Sequence, residues 1–249
     1  MLNYIQSELY RITHTRPVYI LTVLLSAGIV AINLVLHFFG GGASYYGQTS
    51  FSYSFNISEP FLYIIMGAIV AFILYEPPCK NGNLKNTVAY GASRTQIFIS
   101  QCIVALIAAT IIMLVVLAVW VASAELLLAH TTTWTLGDFF SSSLYVYLLA
   151  VAGLISAIVL LSLFQREMTS VMLWLIIWNL IPMVFHYLGM KFDLLANIAS
   201  WMPDNFFTST VIERWWENPD IFERALVSGV CGILIFTALG LLTLRRKDL

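Results

Sequence analysis

Residues 97–124 read IFISQCIVALIAATIIMLVVLAVWVASA, and this stretch decides the fold. It contains no Asp, Glu, Lys or Arg, and it is longer than the roughly 20 apolar residues that a helix needs to cross a hydrocarbon core of about 30 Å. The rest of the 249-residue chain is similar, since 60% of its residues are hydrophobic and only 10% are charged. Ordinary soluble domains carry about 25% charged residues. The composition therefore predicts an integral membrane protein.

Five other runs have a comparable length and apolar character. We expect an all-α membrane protein that forms a single six-span domain over residues 1–249, with spans at about 18–39, 57–75, 97–124, 139–164, 168–188 and 225–244. The second run reaches a full span only if Glu59 and Pro60 are included, and both residue types suit the first turn of a helix at an interface.

The distribution of charge predicts the orientation. Alternating the loops places nine of the twelve Lys and Arg residues on one side, namely Arg11, Arg16, Lys80, Lys85, Arg94, Arg166, Arg245, Arg246 and Lys247. Short loops rich in Lys and Arg stay in the cytoplasm. We therefore expect a multi-pass protein of the cell membrane with both termini cytoplasmic.

Several other classes of protein find no support in the residues. The chain has no phosphate-binding loop of the G-x-x-x-x-G-K-[ST] type, no H-E-x-x-H zinc pair and no G-x-S-x-G nucleophile elbow. A net charge of −1 does not suit nucleic-acid binding. No span carries a Lys, Arg, Asp or Glu near its middle, which argues against an ion-coupled carrier. We predict no catalytic residue and no metal ligand.

The polar residues within the spans are uncharged, and the default explanation for them is hydrogen bonding between helices. They are Asn33, Gln101, Ser141, Ser142, Ser143 and Asn179. Pro182 lacks a backbone donor and should kink the fifth span. Asn179 and Pro182 are therefore a candidate hinge, although most prolines in membrane helices have only a structural role.

The most informative loop covers residues 77–95, between the second and third spans. Pro77 and Pro78 should end the second helix, a short helix should cover residues 84–90, and Ser93 with Gln96 should form a capping box at the start of the third span. This helix either rests on anionic lipid or docks a cytoplasmic protein. At the N-terminus, Leu2, Ile5, Leu9 and Ile12 recur at helical spacing, with Gln6, Glu8 and Arg11 among the polar positions, and predict an amphipathic helix at the membrane interface.

Two motifs resemble the permease subunits of ABC transporters of the ABC-2 type. Members of that family are similar in having E-L-Y-R/K in an amphipathic N-terminal helix, and residues 8–11 here read E-L-Y-R. They also carry G-T-L-K-N-x-x-x-x-G-x-S-R between spans two and three, where residues 82–94 read GNLKNTVAYGASR. The chain departs from the family at Asn83, where Thr is usual, and at Gln101, where Lys often stands. The resemblance extends to the number of spans and the order of loops.

This resemblance implies that the cytoplasmic loop holds a coupling helix, which sits in a groove of a separate ATP-binding subunit. The residues implied in coupling are Gly82, Leu84, Lys85, Asn86, Val88, Gly91, Ser93 and Arg94. ATP and magnesium would bind to the partner subunit and no cofactor to this chain, which would not itself be an enzyme. A second permease, identical or related, would complete the substrate path.

The loop at residues 189–224 is the longest on the predicted outer side. Its aromatic side chains either anchor the loop in the interface or form an external gate, and the gate residues would be Trp201, Phe206, Phe207, Trp215 and Trp216. The expected function is export of an amphipathic or hydrophobic cargo such as a peptide, an antibiotic or a lipid-like molecule. The alternatives are a membrane sensor or immunity protein that binds a peptide, and an intramembrane lipid-modifying enzyme.

Overall fold

The computed structural model describes residues 2–40, 44–80, 93–131, 133–164, 166–203, 205 and 217–246. Within these ranges the chain forms α-helices and no β-strand, with one isolated bridge between Gln48 and Ala129. The helices are α1 (Leu2–Thr13), α2 (Arg16–Gly40), α3 (Thr49–Ser58), α4 (Phe61–Lys80), α5 (Arg94–Leu127), α6 (Leu136–Phe164), α7 (Glu167–Leu175), α8 (Ile181–Gly189), α9 (Asp193–Ala199) and α10 (Pro219–Arg246). A 3-10 turn (Tyr45–Gly47) precedes α3, and a π-helical turn (Ile176–Leu180) joins α7 to α8.

Among the described residues, five helical segments are long and apolar enough to cross a membrane. They are α2, α5, α6, the continuous segment Glu167–Gly189 and α10. Helices α3 and α4 form a pair that is bent by 69° and adds a sixth span if the pair counts as one. The protein therefore has the all-α architecture of a multi-pass membrane protein.

The bent pair corrects the predicted start of the second span. A single helix from residue 57 is wrong, because α3 ends at Ser58 and α4 begins only at Phe61. Pro60 accounts for the break, since proline has no N–H to donate and disfavours helical torsion angles at the preceding residue. Glu59 accordingly has φ −120° and ψ 56°, outside the helical region. The sequence analysis did not predict α3.

Helix α6 lies at the centre of the bundle and packs mainly against α4 and α10. From residue 144 to its end at Phe164 it carries no charged residue and is largely apolar on every side, as expected for a helix surrounded by other helices. Glycines allow α4 and α6 to approach closely. A Cβ atom at Gly67 would lie 2.6 Å from the carbonyl oxygen of Ala150, and one at Gly153 would lie 2.9 Å from that of Ile64.

Hydrogen bonds among a buried group of polar side chains hold α3 in place. Asn33 of α2 donates from Nδ2 to Ser123 Oγ at 2.7 Å and accepts from Ser52 Oγ at 2.8 Å. Trp120 Nε1 of α5 donates to the same Ser52 hydroxyl at 2.9 Å. The network joins α2, α3 and α5 and confirms interhelical hydrogen bonding as the role of Asn33.

The first turn of α3 and the adjacent Tyr53 are tied to α5 and the segment after it. Thr49 donates its backbone N–H to the Ala129 carbonyl at 3.0 Å, and Ala129 donates to Gly47 at the same distance. Tyr53 donates its hydroxyl to Glu125 Oε1, and His130 Nδ1 lies 2.9 Å from the other oxygen of that carboxylate. The N-terminal half of α3 is therefore held against α5 and the loop that follows.

Candidate functional site

The E-L-Y-R motif lies at a junction of three helices, which we call the α1 junction and define by Glu8, Arg11, Leu74, Tyr75 and Gln101. Arg11 donates from Nη1 to the Leu74 carbonyl of α4 at 3.0 Å. Its Nη2 and Nε atoms lie 2.6 and 3.2 Å from Glu8 Oε2, and its guanidinium lies over the Tyr75 ring, 5.5 Å from the centroid. Tyr75 in turn donates to the Gln101 carbonyl of α5 at 2.8 Å. Arg11 thus connects α1 to α4, and Tyr75 connects α4 to α5.

The contact between Arg11 and Leu74 has a specific chemical cause. The Leu74 carbonyl would normally accept from the N–H four residues later, but that residue is Pro78, which has none. Arg11 supplies the missing donor. We predicted that Pro77 and Pro78 would end the second helix, and this is wrong, because α4 continues to Lys80. An external donor helps the helix to continue through the prolines.

Glu8 and Arg11 were predicted to lie among the polar positions of an amphipathic helix. Glu8 is instead 9% exposed, and it faces the same interface as the buried Ile12. Ile5 and Leu9 also pack against the main core. The ion pair is therefore part of the packing of α1, a role that the helical periodicity of the apolar residues did not reveal.

The capping box predicted at the start of the third span is confirmed. Ser93 Oγ accepts from the Gln96 backbone N–H at 3.2 Å, and Gln96 Oε1 accepts from the Ser93 N–H at 3.3 Å. Helix α5 accordingly begins at Arg94. The other predicted coupling residues, Gly82, Leu84, Lys85, Asn86, Val88 and Gly91, lie outside the described residues.

A cavity of about 340 Å³ lies between helices α2, α4, α5 and α6, and Phe55 and Asn56 of α3 line one end of it. On α5 its lining runs from Leu106 to Trp120, a length of about 21 Å at 1.5 Å per residue. Both limits lie several residues inside the ends of α5. The cavity therefore occupies the apolar middle of the bundle.

The polar groups on the cavity wall are hydrogen-bonded to the protein itself. Thr110 Oγ1 lies 2.7 Å from the Tyr147 hydroxyl, and Tyr63 donates to Asn56 Oδ1 at 2.7 Å. The Tyr63 hydroxyl also lies 2.6 Å from Ser143 Oγ, while Trp120 is paired with Ser52 as above. The wall therefore presents almost entirely apolar surface.

The candidate hinge residues lie in and beside the π-helical turn. Asn179 is within Ile176–Leu180, and Pro182 is the second residue of α8. The Ile181 N–H donates to the Ile176 carbonyl, five residues earlier. The helix thus widens before the proline, and the segment stays continuous from Glu167 to Gly189. Asn179 Nδ2 is buried and has no hydrogen-bond partner among the described residues.

The π-helical turn and the helix before it are fixed to α6 by two indoles, Trp178 and Trp174. Trp174 and Trp178 both donate from Nε1 to Ser156 Oγ at 3.0 Å. Their rings stack on each other, and Trp178 also stacks on Phe236 of α10. Beyond the turn, Asn205 Nδ2 donates to the Pro182 carbonyl at 3.2 Å. No sequence pattern predicts these anchors, because their partners lie 18 or more residues away.

Only Trp201 of the predicted external gate is described. Arg224 lies over its ring, 5.9 Å from the centroid, and donates to the neighbouring Ser200 carbonyl at 3.4 Å. The residues Phe206, Phe207, Trp215 and Trp216 lie outside the described residues. The predicted outer loop contains the short helix α9 and ends earlier than residue 224, because α10 begins at Pro219.

No model of a protein family matches the chain, and no curated protein matches it.

Proposed function

We propose that the chain is the permease subunit of an ATP-driven exporter of the ABC-2 type. The two motif resemblances support this assignment, and the contacts of Arg11 are the observation that carries it. The loop that contains the G-N-L-K-N sequence connects α4 to α5. Because Arg11 binds α4 and Tyr75 binds α5, a movement of the loop is passed to α1, α4 and α5 together.

In this proposal α3 and α4 together form the second of six spans, and both termini are cytoplasmic. Helix α1 lies along the inner face of the cell membrane, and the loop forms a short coupling helix in a groove of a partner ATPase. The partner binds ATP and magnesium. A second permease, identical or related, completes the substrate path, and the two rock as rigid bodies when the ATPase subunits close.

We infer a cargo that is amphipathic or hydrophobic. The spans carry no Asp, Glu, Lys or Arg near their middle, and the loop between α8 and α10 is rich in aromatic residues. A peptide, an antibiotic or a lipid-like molecule suits this character better than an ion or a sugar.

The proposal is tested by mass spectrometry of proteins that co-purify with a tagged copy, mildly solubilised from its native host. We expect a stoichiometric protein with a G-x-x-x-x-G-K-[ST] loop. The variant Leu84→Asp should lose it, because the substitution buries an unpaired carboxylate at the interface. The variant Gln6→Asp adds the same charge at an exposed position of α1 and should retain the partner.

A further variant separates binding of the ATPase from the coupling of ATP hydrolysis to cargo. Arg11→Ala leaves the loop intact, so the ATPase should still co-purify, while ATP hydrolysis should no longer respond to cargo. Absence of any ATPase from the wild-type preparation contradicts the transporter assignment and favours a peptide-binding sensor or immunity protein. Retention of the ATPase by Leu84→Asp removes the loop from the mechanism.

A further inference from the structure

The cavity between α2, α4, α5 and α6 has an opening toward the outside of the bundle. Helix α2 packs mainly on α5 and has little contact with α4. Leu24, Gly28 and Ile32 form one stripe of α2 at a spacing of four residues, and all three line the cavity. Leu24 is 65% and Ile32 49% exposed, and a Cβ atom at Gly28 would have no heavy atom within 4 Å. Gly28 therefore leaves a notch in the side of the bundle that lies within the membrane.

The chemistry of the wall selects an apolar occupant. The polar side chains that line the cavity are already hydrogen-bonded within the protein. Thr110 pairs with Tyr147, and Tyr63 pairs with Asn56. A polar ligand would have to break these bonds, and cavities lined by apolar groups exclude water but accept apolar molecules. Dispersion contacts along the wall are gained only when carbon atoms fill it.

The dimensions select among apolar occupants. The lining extends for about 21 Å along α5, against about 15 Å for one leaflet of a 30 Å hydrocarbon core. A helix with side chains is about 10 Å wide and does not fit a volume of about 340 Å³ over that length. A single extended hydrocarbon chain does fit, and the surrounding bilayer supplies such chains at the notch.

We propose that this cavity is a lipid site that binds one acyl chain of a membrane lipid, which enters between α2 and α4 at Gly28. The inference does not depend on the proposed transport function. It assigns Gly28 a role in access, because any side chain at that position projects into the opening. Met113 and Thr110 of α5 line the inner wall and contact the bound chain.

The test is photolabelling of the purified full-length protein in phosphatidylglycerol vesicles that contain a phosphatidylcholine with a diazirine in the middle of one acyl chain. Labelled positions are mapped by peptide mass spectrometry. Ile111 and Leu114 serve as an internal reference, because both are 56% exposed and neither lines the cavity. We expect label on Met113 or Thr110 in addition to this reference pair.

Variants on α2 test the path of entry. Gly28→Trp should abolish label on Met113 and Thr110 and leave Ile111 and Leu114 unchanged, because the indole occupies the opening. Val35→Trp is the matched control, because Val35 is exposed on the same helix and does not line the cavity. This substitution should leave the label on both residue pairs unchanged. Gly28→Leu, a smaller obstruction, should give the same loss and replaces Gly28→Trp if that variant elutes as an aggregate in gel filtration.

Two results overturn the proposal. Label confined to Ile111 and Leu114 in the wild-type protein shows that no acyl chain enters the cavity. Label on Met113 or Thr110 that persists in a monodisperse Gly28→Leu or Gly28→Trp variant shows that the chain does not enter at Gly28.

Discussion

Arg11 offers the sharpest test at the scale of single residues, because it supplies the donor that Pro78 denies to the Leu74 carbonyl. Arg11→Leu leaves this carbonyl without its side-chain donor and the nearly buried Glu8 without its cation. We expect the free energy of unfolding to fall by about 2 kcal/mol, within the range for an unsatisfied buried polar group. The measurement is denaturant unfolding in detergent micelles, followed by circular dichroism.

Two further substitutions separate the contact from the charge. Arg11→Lys keeps the charge but lacks the planar fork that reaches Glu8 and Leu74 together, so we expect an intermediate loss. Arg16→Leu removes a charge at the exposed start of α2 and should change stability by less than about 0.5 kcal/mol. An equal loss in Arg16→Leu and Arg11→Leu would assign the effect to net charge and not to the α1 junction.

At the scale of helices, the contact between α4 and α6 depends on Gly67. Gly67→Ala places a methyl group against the Ala150 carbonyl oxygen, a backbone atom that cannot move without shifting α6. We expect a loss of about 1–3 kcal/mol in the free energy of unfolding, the usual cost of overpacking. Thermal unfolding in the same micelles measures it.

The matched control is Gly28→Ala, the same substitution at another glycine that lines the cavity. Its methyl group meets no atom within 4 Å, so the midpoint of thermal unfolding should be unchanged or slightly raised. Equal destabilisation by the two substitutions would mean that lipid contact, and not the close approach of α4 and α6, sets the cost, because alanine favours the helix at both positions.

The elements also show what the sequence can predict. Long apolar runs locate α2, α5, α6 and α10 because the length of a span is set by the bilayer, and local chemistry predicts the Ser93 and Gln96 capping box. Helix α3 escaped prediction, because its sequence TSFSYSFNIS mixes polar and aromatic residues whose burial depends on Asn33 and Trp120 of other helices.

The candidate sites also combine features that a local sequence pattern predicts with contacts that it does not predict. The E-L-Y-R motif was recognised from the sequence, but its main partner, Leu74, lies 63 residues away and follows from no local pattern. The cavity is formed by single faces of five helices, each of which reads as ordinary membrane sequence. Contacts of this kind are decided by the packing of whole helices, which no short motif encodes.

At the scale of the whole molecule, the unequal distribution of Lys and Arg predicts which side of the membrane each loop occupies. Cys79 follows the second span, so a membrane-impermeant maleimide should label it in inverted vesicles and not in sealed cells. The measurement uses a chain with Cys102→Ala and Cys231→Ala, so that Cys79 is the only thiol. In a second chain with Cys79→Ala as well, Lys191→Cys should be labelled in sealed cells, because residue 191 follows the fifth span and lies on the opposite side. Labelling of Cys79 in sealed cells, with Lys191→Cys protected, would place both termini outside. It would also remove the loop at residues 77–95 from the reach of any cytoplasmic ATPase, whatever its motif resembles.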